Sequence, residues 1–365
     1  MTRRIRNENP ALAHRLRRRN FLGVAVGAAA AAALAGNGAA QAAPAGHGHR
    51  PRGPLVPEGR LGIQLYTLRD QIEETGFGPV FEALAEYGYD TVEFAGYTQG
   101  TGKITLPELK ALTESHGLRG IGSHVGYYSD DPGDYTFAGQ LDQVMEDAAE
   151  LGLPYIGTAS GPDRYGNTVE GWKRVAEEFN TYGAAARDLG MKFYQHNHQM
   201  EFAFAEDDPE TRLYDVLLAE TDPELVYLEM DIFWAYCGQY RFSTRPDGTP
   251  APFEPLDYVL AQPDRYPLFH VKDGEHDGDS ADGYQMVDVG DGVIDYVSFL
   301  RAAVEDGAES GHEYLVERDD AGDPELNPPG SLNTAERSAA YLLKNHRPGR
   351  PGHPGHGHGH GHGRG

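Results

Sequence analysis

Short apolar runs alternate with amphipathic stretches over residues 61–318, and this alternation constrains the fold more than any other feature of the chain. In the amphipathic stretches, apolar residues recur at spacings of three and four, which predicts helices. Several of these stretches stop at a glycine, a typical helix end: Gly88, Gly117, Gly152 and Gly190. The apolar runs predict eight strands, at 61–66, 91–95, 120–124, 155–158, 192–196, 225–231, 268–272 and 314–317.

Eight strands that alternate with helices predict a single-domain α/β fold, the (β/α)8 TIM barrel, which typically needs about 250 residues. An open doubly wound sheet is the alternative. No G-x-G-x-x-G follows the first predicted strand, and no Walker A sequence occurs in the chain. Their absence weakens the nucleotide-binding version of that alternative.

The first 42 residues have the features of an export signal. The sequence RRRNFL at 17–22 resembles a twin-arginine signal, a charge-free run follows at 23–35, and AQA at 40–42 offers a cleavage site. The run is too short and too rich in Ala and Gly for a stable membrane anchor. We therefore expect the twin-arginine export machinery as a partner and an extracellular, periplasmic or cell-envelope location.

Composition sets the remaining boundaries of the fold. Residues 43–59 are rich in Ala, Gly, Pro and His and predict a flexible linker, followed by the barrel at 60–346. Residues 347–365 contain only Gly, Pro, Arg and His and predict a disordered tail. Its closely spaced imidazoles can bind transition metals, although a tail without a role is the alternative.

Charge and cysteine usage exclude several classes of protein. The formal net charge is -25, and the segment 1–42 is itself basic, so the rest is still more acidic. A nucleic-acid binder needs a basic face, which this chain does not offer. Cys237 is the single cysteine and cannot form an internal disulfide, which excludes a disulfide-stapled fold.

Polar residues stand at or just after the carboxyl ends of the predicted strands, where barrel enzymes hold their chemistry. Burying so many ionisable groups is costly unless they pair or bind a metal. Mixed oxygen and nitrogen donors suit one divalent ion, Mn, Co, Zn or Mg. The candidate residues are Gln64, Tyr66, Glu93, His124, His196, His198, Glu201, Asp231, Trp234, His270, Lys272 and Glu317.

Six segments in order resemble the xylose isomerase-like barrel superfamily, and within it the proteins called sugar phosphate isomerase/epimerase. They are LGIQLYTLRD at 61–70, YDTVEFAG at 89–96, HNHQMEF at 196–202, MDIFW at 230–234, FHVKDG at 269–274 and YLVERD at 314–319. The resemblance implies a divalent metal at the barrel mouth, bound by a Glu, an Asp, a His and a Glu from strands five to eight.

Three of these implied ligands carry over as Asp231, His270 and Glu317. The strand-five position departs from the pattern, because His196 stands where the family has Glu. Imidazole suits the same metals, so His196 can complete the set, and Glu201 is the alternative fourth ligand.

The resemblance implies an isomerase or epimerase that acts on a carbohydrate or keto-sugar through a metal-stabilised enediolate. His196 or His198 would remove the proton beside the carbonyl, because a base with a pKa near the working pH is needed there. Glu317 would serve as ligand or second acid, and Lys272 would bind a substrate oxygen or the developing oxyanion.

The remaining strand-end residues are expected to bind a small carbohydrate. Gln64, Tyr66, Glu93 and His124 would meet its hydroxyls, and Trp234 would offer a flat surface for a sugar ring. No phosphate-binding site is evident, so a sugar phosphate is disfavoured as substrate.

Three other functions remain open at this point. A metal-dependent lyase or hydratase, acting for example by elimination from a 3-keto-glycoside, uses the same chemistry. A non-catalytic exported protein that binds sugar or metal is a second alternative. A phosphodiesterase of the endonuclease IV type is disfavoured, because the acidic chain would repel DNA. The sequence does not determine the oligomeric state.

Overall fold

The structure is a computed structural model that describes residues 53–96, 104–131, 133–305, 311–344 and 346. The predicted export signal at 1–42 and the predicted tail at 347–365 lie outside these residues, as does most of the predicted linker. Among the helices that the structure describes, none combines the length and the hydropathy that a membrane span requires.

The apolar runs form strands, and two further strands follow the seventh of them. In chain order the strands of the described residues are β1 (Leu61–Gln64), β2 (Thr91–Phe94), β3 (Arg119–Ser123), β4 (Tyr155–Thr158), β5 (Lys192–His196), β6 (Val226–Asp231), β7 (Leu268–Val271), β8 (Asp273–His276), β9 (Tyr284–Val287) and β10 (Glu313–Val316).

Eight of these strands make one parallel sheet in the order β3-β2-β1-β10-β7-β6-β5-β4. The two outer strands approach each other, because His124 forms a parallel bridge with Gly157 and the Val125 amide donates to the Gly157 carbonyl at 2.8 Å. The predicted (β/α)8 barrel is therefore confirmed, and the open doubly wound sheet is wrong.

Helices connect the strands and cover the outside of the barrel. They are α1 (Arg69–Thr75), α2 (Phe77–Tyr87), α3 (Leu106–Ser115), α4 (Phe137–Leu151), α5 (Val169–Asp188), α6 (Leu213–Glu220), α7 (Ile232–Phe242), α8 (Pro255–Ala261), α9 (Tyr296–Glu305) and α10 (Ser331–Leu343). Threonine hydroxyls accept backbone N–H groups at the starts of α3, α4 and α5. Gly88 and Gly152, both left-handed, end α2 and α4.

Each of the eight predicted strands is present, with ends that differ by at most two residues. The first strand ends early because the Gln64 side chain accepts the Tyr66 amide at 3.1 Å and starts a turn of 3-10 helix, Leu65–Leu68. The antiparallel hairpin β8–β9 was not predicted. Its residues alternate less clearly and are mostly solvent-accessible, so they lack the apolar run that marks a barrel strand.

The packed part of the chain begins inside the segment predicted as linker. Leu55 and Val56 are buried, and the Leu55 amide donates to the Leu342 carbonyl at 2.9 Å. Gly53 forms an antiparallel bridge with His346. The two apolar side chains in a Pro- and Gly-rich stretch therefore anchor the start of the described chain beside its end.

Alternation along the strands separates an apolar lower layer of the barrel interior from a polar upper one. Tyr194, Leu268 and Leu315 belong, with Ile121, to a buried cluster separate from the core between sheet and helices. Because side chains two residues apart share a face of a strand, the next inward positions are His196, His270 and Glu317. The apolar layer is thus the floor on which the polar residues stand.

Asn197 fixes the height of β6 relative to the end of β5. Its amide group donates to the Asp231 carbonyl oxygen and accepts the Asp231 amide, both at 3.1 Å. The side chain is 1% exposed, so water cannot replace these two bonds. The middle residue of the HNH sequence is therefore a clamp that positions Asp231.

Asn197→Ala should lower the free energy of unfolding by about 2 to 3 kcal/mol, because it leaves two buried backbone groups of Asp231 without partners. Asn180 provides a matched control, since it makes the same pair of bonds, to Glu220 O and Asp222 N, at the surface. Asn180→Ala should cost about 1 kcal/mol or less. Denaturant titration measures both values, and equal losses would contradict the role of burial.

Candidate metal centre and active site

A cavity of about 450 Å³ opens at the carboxyl ends of the barrel strands. Its polar lining residues come from five different strand ends, which is where a TIM barrel assembles its site. They are Tyr66, His124, Ser160, His196, His198, Glu317 and Asp319.

Donor atoms from the ends of four strands, β5, β6, β7 and β10, approach one another at the cavity floor. The Nδ1 atom of His270 lies 2.7 Å from Glu317 Oε2 and 3.9 Å from Asp231 Oδ2. His196 Nε2 lies 3.7 Å from the same Asp231 oxygen. Metal–ligand bonds of about 2.0 to 2.2 Å place neighbouring donors about 3 to 4 Å apart. The donor atoms of Asp231, His270 and Glu317 lie within 4.8 Å of one another, a spacing that suits one cation, and His196 Nε2 adjoins this set through Asp231.

A layer of buried carboxylates orients the imidazoles. Glu229 Oε2 lies 3.0 Å from His196 Nδ1 and 2.8 Å from His124 Nε2, and Glu93 Oε2 lies 2.7 Å from His270 Nε2. A carboxylate accepts the N–H of each ring and so fixes its tautomer. Metal-bound histidines are commonly oriented by such a hydrogen bond from their other ring nitrogen. His196 Nε2 and His270 Nδ1 are then the ring nitrogens left for a cation.

The donor atoms of His124, His196, Glu229 and His270 also lie within 4.8 Å of one another. In this second cluster, however, the ring nitrogens donate hydrogen bonds to Glu229 and Glu93. We therefore interpret it as the set of residues that orients the metal-binding imidazoles, and not as a second metal site. The electrostatics agree with that division, because burial lowers the pKa of His196 well below its usual range and keeps it neutral.

His270, unlike His196, is protonated on both ring nitrogens when no cation is bound. Burial would lower its pKa, but Glu229, Glu317 and Glu93 hold it well above the usual range. Its two nitrogens then donate to Glu317 and Glu93 when no cation is bound. A cation at His270 Nδ1 would take the place of one proton.

The group passes a simple test of fit for a divalent metal. Asp231 Oδ2 is buried and has no hydrogen-bond partner of good geometry, although it faces His196, His270 and Lys272. Burial raises the pKa of this carboxyl to about 6, although Lys272 opposes the rise. A buried carboxylate oxygen that faces two imidazoles, with a second carboxylate nearby, suits Mn, Co or Zn. The residues therefore fit a metal held by His196, Asp231, His270 and Glu317.

The predicted substrate residues lie at two depths. Tyr66 and His124 line the cavity, and their contact with substrate hydroxyls stays a prediction. Gln64 and Glu93 do not, because both are fully buried below it, where Gln64 Nε2 donates to Glu93 at 2.8 Å. The prediction that these two meet substrate hydroxyls is therefore corrected: Glu93 supports His270, and Gln64 supports Glu93.

Trp234 and Lys272 stand beside the cavity rather than in its lining. Lys272 is 1% exposed, and its ammonium lies 5.5 Å from the centre of the Trp234 ring. Trp234 lines a second, wider cavity of about 630 Å³, which shares Asp319 with the first. The predicted sugar-stacking residue is thus positioned between the barrel mouth and the hairpin β8–β9.

Glu201 is the predicted alternative ligand that the structure leaves apart. It lies in the 3-10 turn Met200–Phe202 and belongs to neither group of close donor atoms. Its side chain is 1% exposed, and neither oxygen has a hydrogen-bond partner of good geometry. Burial raises its pKa to about 7.

Sequence reasoning did not assign Glu229, Asp319 or Asn197 to the site. A signal existed for Glu229, because it precedes Asp231 by two residues on β6 and so shares its inward face. Asp319 follows the last strand by three residues, where nothing in the sequence shows whether a side chain turns toward the mouth.

Glu201→Gln should stabilise the protein in alkaline solution. A buried carboxyl with a pKa of about 7, raised from 4.5, binds its proton more tightly in the folded state, so stability falls as pH rises from about 4.5 to about 7. The variant should gain up to about 3 kcal/mol of unfolding free energy at pH 8 and little at pH 4.5. Denaturant titrations with chelator measure this, with exposed Glu206→Gln as control; a gain that does not depend on pH would contradict it.

Comparison with known proteins places the barrel among relatives. Residues 81–342 match the xylose isomerase-like TIM barrel family. A search of curated proteins found no match. Among solved structures, two sugar phosphate isomerase/epimerase proteins from Parabacteroides distasonis ATCC 8503 are similar. One is 24% identical with a TM-score of 0.58, over 79% of this chain and 96% of that chain. The other is 25% identical with a TM-score of 0.59, over 78% and 98%.

A third similar structure is an IOLI protein with a binding zinc atom, 17% identical, with a TM-score of 0.56 over 78% of this chain and 98% of that chain. At this identity the likeness shows the fold alone. The family match covers well over half of the chain. On that ground, and with the eight-stranded barrel described above, this chain belongs to the xylose isomerase-like TIM barrel family.

Proposed function

We propose that this protein is a divalent-metal-dependent sugar isomerase or epimerase that moves a proton beside the carbonyl of an unphosphorylated carbohydrate. The observation that carries the proposal is the donor set of Asp231, His270 and Glu317, joined by His196 beside Asp231, at the floor of a cavity at the barrel mouth. These residues would hold a divalent cation, which would supply the positive charge that polarises a substrate carbonyl and makes the adjacent C–H bond more acidic.

His198 is the group that we propose as the base. It lines the cavity and packs against His196 and Trp234. Burial, and then the positive charge of Lys272, lower its pKa to about 4, so its ring is neutral at neutral pH, but this pKa lies below the value near the working pH that favours a base. His124 and His196 also line the cavity, but both contact Glu229.

One base on one side favours proton transfer between adjacent carbons, which is isomerisation. Epimerisation needs a second group on the opposite face of the substrate, and Asp319 is the candidate in the cavity lining. Lys272 holds this carboxylate with bonds of 3.0 and 3.1 Å. The ammonium of Lys272 also supplies positive charge near a developing oxyanion.

The charges around the mouth support a neutral sugar over a sugar phosphate. The described linings of the two cavities include no Lys or Arg, and the wider one includes Asp277, Asp319 and Asp320. Arg69 stacks on Tyr66, and its guanidinium donates to the carbonyls of Tyr66 and Asp319. The predicted twin-arginine signal supports the same preference, because phosphorylated sugars are scarce outside the cell.

The wider cavity also favours a second candidate function, a lyase that expels a leaving group from a keto-glycoside. This cavity of about 630 Å³ adjoins the first and joins the Trp234 and Tyr284 rings with carboxylates. Such a surface can hold a second ring, which a monosaccharide isomerase does not need. The same base and cation would serve elimination, so the two functions differ in product rather than in residues.

Asp231→Asn and Glu317→Gln should each abolish binding of the barrel metal, because each removes a charged donor from a set of four. Purified protein, with its tail, should lose about one equivalent of Mn, Co or Zn on substitution, measured by elemental analysis after dialysis. Glu275→Gln, on the exposed part of β8, is the control and should leave the metal content unchanged. Equal metal content in all four proteins would place the metal elsewhere.

His198→Gln should lower kcat by about 100-fold or more with the metal content unchanged, because it removes the base but no ligand. A panel of aldoses, ketoses and 3-keto-glycosides incubated in D2O with Mn²⁺ tests this. An isomerase or epimerase exchanges deuterium beside the carbonyl, whereas a lyase releases the leaving group. Full activity of His198→Gln would exclude it as base. Bound metal with no turnover of the panel would favour a sugar-binding protein.

A further inference from the structure

The ammonium of Lys272 lies among three carboxylates. Its Nζ atom is 2.9 Å from Glu317 Oε2, 3.0 Å from Asp231 Oδ2 and 3.0 Å from Asp319 Oδ1. The Lys272 side chain is 1% exposed, and those of Asp231 and Glu317 are 0% and 7% exposed, so solvent weakens these two contacts little, whereas Asp319 is 31% exposed. Removing such a buried cation would take an ion-pair partner from all three carboxylates and leave His270 as the remaining cation beside Glu317.

Two of these three carboxylates belong to the donor set described above. Asp231 Oδ2 and Glu317 Oε2 are the very oxygens that face His270 and His196. A divalent cation and an ammonium cannot share two buried oxygens at bonding distance without strong repulsion. Asp319 differs from the other two, because it lies on the cavity rim and belongs to neither group of close donor atoms.

We propose that Lys272 is a built-in competitor of the divalent cation for Asp231 and Glu317, and that Asp319 is the positioning residue that retains the ammonium when the cation binds. This inference rests on the metal site of the proposed function. Both oxygens of Asp319 already contact Lys272 Nζ, at 3.0 and 3.1 Å, so the ammonium needs only to release two partners and keep the third.

The surroundings limit where the ammonium can go. The Trp234 ring lies 5.5 Å from Nζ and offers a favourable face to a cation. Asp319 itself lines both cavities. Retained by Asp319, Lys272 therefore stays beside the cavity, next to a carboxylate that lines it.

Titration with Mn²⁺ alone tests the proposal, with calorimetry and the EPR signal of free Mn²⁺ as readouts. The full chain is used, because its His-rich tail is then identical in every variant and cancels in the comparison. Lys272→Met removes the charge but keeps an unbranched chain, and should bind Mn²⁺ about tenfold or more tightly than the native protein. Lys272→Arg keeps the charge and should stay near the native affinity.

Lys192→Met is the matched control at the other end of the barrel. Lys192 begins β5, half-buried against Tyr227, away from the donor set. This variant should leave the Mn²⁺ affinity unchanged. In chelator, Lys272→Met should also unfold at lower temperature than the native protein, so the loss in metal-free stability and the gain in affinity have opposite signs. A substitution that only damaged the site would lower both the metal-free stability and the Mn²⁺ affinity.

Asp319→Asn tests the second part of the proposal. It should weaken Mn²⁺ binding in the native background, because the ammonium then depends wholly on Asp231 and Glu317. In the Lys272→Met background the same change should have a much smaller effect, since Asp319 acts through Lys272. An equal effect in both backgrounds would mean that Asp319 contributes only its own charge, and would overturn its positioning role.

The outcomes separate this inference from the proposed function. If native protein and Lys272→Met bind Mn²⁺ equally well at the barrel site, the competition is overturned and the proposed function stands. If neither binds Mn²⁺ there, as judged by no change on Asp231→Asn, both are overturned. Tighter binding by Lys272→Met together with lower metal-free stability supports the inference.

Discussion

The structure depends on pairing charges that the fold removes from water. Among the described residues, a connected group of ionisable side chains stands in the upper part of the barrel, and most of them are almost fully buried: Glu93, His124, His196, His198, Glu229, Asp231, His270, Lys272, Glu317 and Asp319. A lone buried charge is strongly unfavourable, so each group must contact an opposite charge or a bound ion. Here the imidazoles contact carboxylates on either side, and the Lys272 ammonium pairs with the carboxylates of Asp231, Glu317 and Asp319. The fold must therefore position these side chains closely enough for each buried charge to reach its partner.

The strands were predictable, because a short apolar run such as 225–231 between amphipathic stretches is typical of a strand that is buried on both faces. The depth of each strand-end residue within the barrel could not be predicted. Strand-end position suggested that Gln64 and Glu93 would touch substrate, yet both lie one layer lower than His124. Depth depends on the stagger of neighbouring strands, including a shift in register between β2 and β3 at Val92 and Glu93. A single sequence does not reveal that stagger.

The HNH sequence at 196–198 shows how backbone geometry gives three neighbouring residues three tasks. His196 ends β5 and points inward to the donor set. Asn197 turns sideways and clamps the backbone of Asp231. His198 has left the strand and lines the cavity. Residue type alone indicated chemistry for the two histidines, but the clamp became visible only from its two bonds to β6.

Charge balance connects the departure at His196 with the position of Lys272. A donor set of two imidazoles and two carboxylates carries two negative charges, which one divalent cation neutralises. Lys272 and Asp319 then form a second neutral pair. With Glu in place of His196, as the family resemblance implies, the set would carry a third negative charge close to Lys272. The ammonium would be bound more firmly to the donor oxygens, and the cation would displace it less easily. In the proposed metal site, the imidazole at position 196 would supply a donor without adding a charge, which would keep the buried Lys272 compatible with a bound cation.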